Sequence, residues 1–325
     1  MAGPTSVLFL GMQASFSTPV LAALIAARME ICGVLIPASD EPLPKPLAHS
    51  DAEPVAESGL RRLLPLPSPS VGGGLQILTP FVRPGVVQLA WEAGIPVYEA
   101  RSLAAGDVLA RVRELRPDVM AVACWPGLIP RAFSALAGLA ALNVHPSLLP
   151  DNRGPAPLFW TFRLGRRTTG VSVHELSSQA DAGPLLGQHR LRVAEGIEGE
   201  TLERRCAETG GALLVRAIRE LATGRAHPRA QDGRRATSHP LPAADDFLIP
   251  SSWPARRAFN FIRGVAHMQG PLRVDAVERT FYVRQAISYD EAVAPDCPYE
   301  LDGVLLRVRL NPGTLTVEVT ADSSD

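Results

Sequence analysis

Five apolar runs, separated by stretches of helical periodicity, restrict the fold of this chain more than any other feature. They fall at residues 6–10, 31–36, around Val97, 119–123 and 139–144. A run without polar alternation suits a strand covered on both faces. Ser17-Thr18-Pro19 then precedes Val20, Leu21, Leu24 and Ile25 at helical spacing, so the first run leads through a loop into a helix. Strands alternating with helices imply a parallel sheet with helices on both faces. Ligands of such open sheets settle outside the carboxyl ends of the strands. Asn143, His145 and the turn Trp125-Pro126-Gly127 occupy those ends.

Residues 168–176 and 185–193 read as further strands. Residues 200–222 read as a long helix with Leu214, Ala217, Ile218 and Leu221 on one face, which closes a first domain at 1–222. The stretch 223–242 is rich in Gly, Arg, His, Pro and Ser without an apolar stripe, which is linker composition. A second domain then occupies 243–325. Its helix at 255–265 and short strands at 272–274, 280–283, 303–308 and 314–319 suit a small open barrel. Within the first domain, 37–84 breaks the pattern with repeated prolines and Gly72-Gly73-Gly74. No Lys-Ser/Thr pair or helix follows those glycines, so they form no phosphate loop. The stretch reads as a lid or as a surface insertion.

Charge and inventory narrow the chemistry. The 325 residues carry a formal charge of -1, without the basic excess of a dedicated nucleic-acid binder. Lys45 is the only lysine, which leaves almost nothing for Schiff-base catalysis. Arginine pairs at 61–62, 166–167, 204–205, 234–235 and 256–257 suit a solvated surface or phosphate contacts. Cys32, Cys124, Cys206 and Cys297 lack CxxC or CxxH spacing, which argues for reduced core thiols and against zinc. No HExxH occurs, and no metal is expected. Without a charged leader or an apolar run of membrane-spanning length, the expectation is a soluble, cytoplasmic protein that enters no membrane.

The chemistry gathers in Asn143-Val144-His145-Pro146-Ser147-Leu148-Leu149-Pro150, continued by Arg153-Gly154, and in Gln179-Ala180-Asp181-Ala182-Gly183. Asn143 and His145 share one side of an extended strand. An amide can donate to an oxygen that turns negative, an imidazole takes a proton near neutral pH, and a carboxylate orients the imidazole. Each alone also fits a plain structural role as a turn cap, a packed ring or a turn aspartate. Together, beside a loop stiffened by Pro146 and Pro150, they point to acyl transfer. Ser147 lies in HPSLLP and not in GxSxG, so direct transfer fits better than an acyl-serine. His174, inside a predicted strand, reads as a packing residue.

These residues resemble the 10-formyltetrahydrofolate-dependent formyltransferases, whose hallmark is Asn-x-His leading into SLLPxxRG, with a DxG loop downstream. The match runs from Asn143 to Gly154 and again over Asp181-Ala182-Gly183; similarity extends to 9–24, 94–97, Pro117-Asp118, Gly127-Leu128-Ile129-Pro130 and the helix after Glu200. The resemblance implies a Rossmann-like α/β catalytic domain followed by a smaller, OB-like open barrel. It implies Asn143, His145 and Asp181 around the formyl carbon, and Trp125, Pro126, Gly127, Leu128 and Ile129 along the pterin. Ser147, Leu148, Leu149, Pro150, Arg153 and Gly154 would form a substrate loop, with 10-formyltetrahydrofolate as formyl donor. The two-domain plan is similar to that of the methionyl-tRNA formyltransferases, which implies initiator methionyl-tRNA as acceptor and a part in translation initiation. Gly11-Met12-Gln13-Ala14-Ser15-Phe16 stands where that group carries GTPxF, and 37–84 holds no Arg- and Lys-rich loop. An amino-sugar nucleotide, another small amine or water therefore stays open as acceptor.

Overall fold

A computed structural model describes residues 4–38, 59–65, 85–268, 270–277 and 279–320. Most of the proline-rich stretch, with Gly72-Gly73-Gly74, lies outside the described residues. The strands β1 (Ser6–Gly11), β2 (Glu30–Pro37), β3 (Leu60–Leu63), β4 (Val97–Ala100), β5 (Val119–Ala123), β6 (Ala140–His145), β7 (Thr168–Glu175) and β8 (Leu185–Arg192) form one sheet, ordered β3-β4-β2-β1-β5-β6-β7-β8. The centre is parallel from β4 through β6. The flanks are not: β3 runs antiparallel to β4, and β7 antiparallel to β6. Val7, Leu8, Phe9 and Leu10 are at most 1% exposed, which is why the central strands read as unbroken apolar runs.

Helices α1 (Ser17–Ala26), α2 (Val86–Glu92), α3 (Gly106–Leu115) and α4 (Arg131–Ser134) fill the crossovers. At the start of α1 the buried Ser17 hydroxyl donates to the Ala123 carbonyl at 2.6 Å and accepts from the Met12 amide at 3.0 Å. One side chain thus ties the carboxyl ends of β1 and β5. After α5 (Pro157–Arg163) comes α6 (Gly199–Ala222). A Cβ on its Gly210 would stand 2.4 Å from Val144 Cγ1 and 3.0 Å from Val171 Cγ2. Only glycine lets the helix backbone approach β6 and β7 so closely.

Packing divides the chain into two compact units that interleave along the sequence. Residues 1–145, 171–189 and 206–233 form one; 146–170, 190–205 and 234–325 form the other. In the second, α7 (Ala255–Val265) accompanies a six-stranded sheet of β9 (Leu248–Ile249), β10 (Arg273–Asp275), β11 (Thr280–Asp290), β12 (Tyr299–Asp302), β13 (Leu305–Arg309) and β14 (Thr314–Val319). Its order is β12-β13-β14-β11-β10-β9, antiparallel except for the β9–β10 pair. Phe261 is fully buried between Phe159, 5.6 Å away, and Trp253, 5.5 Å away by ring centroid. The Arg163 and Arg257 guanidinium groups lie over Trp253 at 4.5 and 3.8 Å, where the ring face attracts cations.

The stretch of linker composition is hydrogen-bonded along its course. In the first unit, Arg229 exchanges backbone hydrogen bonds with Leu185. In the second, Thr237 N–H donates to Pro150 O, Arg153 N–H to Thr237 O, and His239 N–H to Arg153 O. Trp160 stacks on His239 at 4.7 Å and donates to Pro240 O at 2.9 Å. No helix among the described residues is long and apolar enough to cross a membrane. Truncating Phe261 to Ala removes the shared partner of two aromatic contacts, and a loss of about 3–5 kcal/mol is expected in denaturant unfolding; a loss under about 1 kcal/mol would contradict this account of the core.

Candidate active site

The antiparallel register of β6 and β7 sets Asn143 opposite His174, and His145 opposite Ser172. Asn143 Nδ2 lies 3.2 Å from His174 Nε2, and His174 Nδ1 lies 2.8 Å from the Glu175 carbonyl. A carbonyl only accepts, so Nδ1 carries the proton; Nε2 of the neutral ring then accepts from the Asn143 amide, which fixes the orientation of that amide. His174 is fully buried and His145 is 5% exposed. Asp181 Oδ1 sits 3.6 Å from His145 Nδ1 and 3.5 Å from His174 Nε2, between two rings that meet edge to face. Both separations are longer than good hydrogen bonds.

The loop that delivers Asp181 is held from several sides. Asp181 has φ 53, a left-handed conformation that Asp tolerates better than most residues. A Cβ on Gly183 would come within 1.8 Å of the Glu175 carbonyl, so no other residue fits there. The Glu175 amide closes the loop by donating to Pro184 O at 2.9 Å. From 50 residues downstream, Gln231 Nε2 donates to Asp181 O at 2.8 Å and Gly183 O at 2.7 Å.

The other candidate residues follow the ends of β5 and β6. Cys124, with φ 62, turns the chain out of β5. Trp125 and Ile129 then pack against the core cluster that includes Leu10, Val122 and Phe133. Pro126 and Gly127 are exposed, and Leu128 is 72% exposed, so the turn offers an apolar tip on a rooted base. In the loop after β6, the buried Ser147 donates its hydroxyl to Asp151 O at 2.6 Å. Its hydroxyl closes a turn. Leu148 and Pro150 are half-buried, while Leu149 and Arg153 are buried; Gly154 has φ 112. Among the described residues no group of three or more His, Cys, Asp or Glu is placed to hold a metal ion.

The structure brings Asn143, His145 and Asp181 into one cluster and adds His174, which the sequence had offered chiefly as a packing residue, with a catalytic role as the lesser alternative. Register is what reveals it, and a single sequence carries no register across a loop of this length. Gln231 gave no sequence signal at all. It lies in a polar, glycine- and arginine-rich stretch where nothing distinguishes one glutamine from solvated surface.

Comparison with known proteins shows the family. A formyl transferase family model matches residues 76–218. The methionyl-tRNA formyltransferase of Anaeromyxobacter sp. (strain K) is 33% identical over 251 residues, covering 77% of this chain and 78% of its own. Among solved structures, the fold resembles WlaRD, a sugar 3N-formyl transferase solved in the presence of dTDP and 5-N-formyl-THF, with TM-score 0.64 at 10% identity over 99% of both chains. It also resembles the methionyl-tRNA formyltransferase from Clostridium thermocellum, with TM-score 0.55 at 13% identity over 97% of this chain and 99% of that one. With the Asn143–His145–Asp181 cluster at the carboxyl end of β6 and relatives of this extent, the chain belongs to the formyl transferase family and is a formyltransferase.

Proposed function

We propose that the chain moves a formyl group from 10-formyltetrahydrofolate to the primary amine of initiator methionyl-tRNA, with Asn143, His145 and Asp181 as its catalytic residues. The observation that carries this reading is the single carboxylate oxygen of Asp181 placed between two imidazoles, one of which orients the Asn143 amide. The folate supplies an activated formyl carbon. The amine nitrogen bonds to that carbon, the carbonyl electrons move onto oxygen, and the bond to the folate nitrogen then breaks as that nitrogen gains a proton. One Asn143 N–H is engaged by His174; the other donates to the developing oxyanion. His145 takes the proton that the attacking nitrogen must lose, and Asp181 stabilises the imidazolium so formed. The turn from Trp125 to Ile129, with its exposed tip at Pro126, Gly127 and Leu128, suits the flat face of a pterin, and the 147–154 loop is read as the substrate loop. The acceptor is supported by relatives bearing that name over most of the chain.

Asn143→Ala, His145→Ala and Asp181→Ala are each expected to lower kcat/KM by at least about 100-fold while leaving circular dichroism unchanged; wild-type turnover in all three folded variants would remove the assignment. A side-by-side assay with charged initiator tRNA, a panel of amino-sugar nucleotides and water tests the acceptor. Formyl-methionyl-tRNA is the expected product. Transfer to an amino sugar alone, or formate release without any amine, would replace that acceptor and leave the catalytic cluster standing.

A further inference from the structure

We infer that Gln231 is a positioning residue that sets the Asp181 carboxylate against His145, an inference that rests on the reading of Asp181 as a catalytic group. The geometry begins at the backbone. Arg229 and Leu185 exchange both hydrogen bonds, at 2.9 and 2.8 Å, as an antiparallel bridge. Two residues after Arg229 and two before Leu185, antiparallel register brings position 231 opposite Gly183. There the side chain takes over from the backbone. Gln231 Nε2 carries two hydrogens and gives one to Asp181 O at 2.8 Å and one to Gly183 O at 2.7 Å. These carbonyls belong to the Asp181–Ala182 and Gly183–Pro184 peptide groups, so one amide fixes the orientation of the peptides that bracket Ala182 and Gly183.

Gln231 matters because it holds two carbonyls of the loop that carries the carboxylate. Asp181 stands in a left-handed conformation, and Gly183 is pressed against the Glu175 carbonyl. Releasing the two carbonyls lets the peptide after Asp181 rotate, and the 3.6 Å separation from His145 already lies beyond hydrogen-bonding distance. The role demands two N–H groups on one atom at the end of a side chain of this length. A leucine offers none, and a glutamate offers one while neutral and none once ionised.

The test measures formyl transfer from 10-formyltetrahydrofolate to charged initiator tRNA, or to whichever acceptor turns over in the assay above. Gln231→Leu is expected to lower kcat about tenfold, with the KM for 10-formyltetrahydrofolate and the thermal unfolding midpoint near wild type. Gln231→Glu keeps the shape. Its activity relative to wild type is expected to fall as pH rises, because the neutral carboxyl donates to a carbonyl whereas the carboxylate repels both; a purely structural role would not impose that trend. Adding Gln231→Leu to Asp181→Asn is expected to cost nothing beyond Asp181→Asn alone. Wild-type kcat in folded Gln231→Glu at every pH overturns the inference, as do multiplicative losses in the double variant. Should Gln231→Leu fail to fold, Gln231→Glu decides. Wild-type turnover in Asp181→Asn sinks instead the catalytic reading of Asp181; an inactive Asp181→Asn beside a fully active Gln231→Glu refutes only the positioning role.

Discussion

The antiparallel register between β6 and β7 is the constraint on which the site depends. Strand side chains alternate faces, so a slip of one residue would carry Asn143 and His145 to the opposite side of the sheet. In the observed register Asn143 meets His174 across the ladder, and the turn after β7 returns Asp181 to the same place. A parallel neighbour at this position would need a long crossover. The short return from β7 to β8 places the carboxylate within reach of both rings instead.

Supports converge on those two strands from the rest of the first unit. Gly210 lets the backbone of α6 lie against Val144 and Val171, on the strands that bear His145 and His174. Ser17 ties the ends of β1 and β5, and so sets the start of the Trp125 turn. Buried polar groups of this kind are expensive unless paired. Here the Ser17 and His174 pairings also fix edges of the candidate site, so interactions that satisfy the interior orient its side chains.

Much of this was legible in the sequence because burial on both faces leaves a continuous apolar signature, as at β1, β5 and β6. The long helix expected at 200–222 is α6 within one residue, and its amphipathic stripe explains why. Strand direction left no such mark, so the parallel centre was readable and the antiparallel flanks were not. β3 escaped notice because it is a short edge strand with Arg61 and Arg62 exposed. β11 runs on to Asp290 past two irregularities in register that break its alternation, and β12, largely exposed, offers no apolar pattern. Asn143, His145 and Asp181 were visible as chemistry in compact motifs. His174 and Gln231 were hidden because each gains meaning only from a partner distant along the chain.

The bond from Gln231 to the Asp181 loop also changes where a minimal fragment of the catalytic unit can end. The last turn of α6 looks like a natural place to cut, with a polar tail beyond it. Severing the polymer there would discard both the Arg229 bridge and the glutamine that grips the two carbonyls. A truncated version that preserves the working geometry has to continue through Gly233, where the first packing unit itself ends.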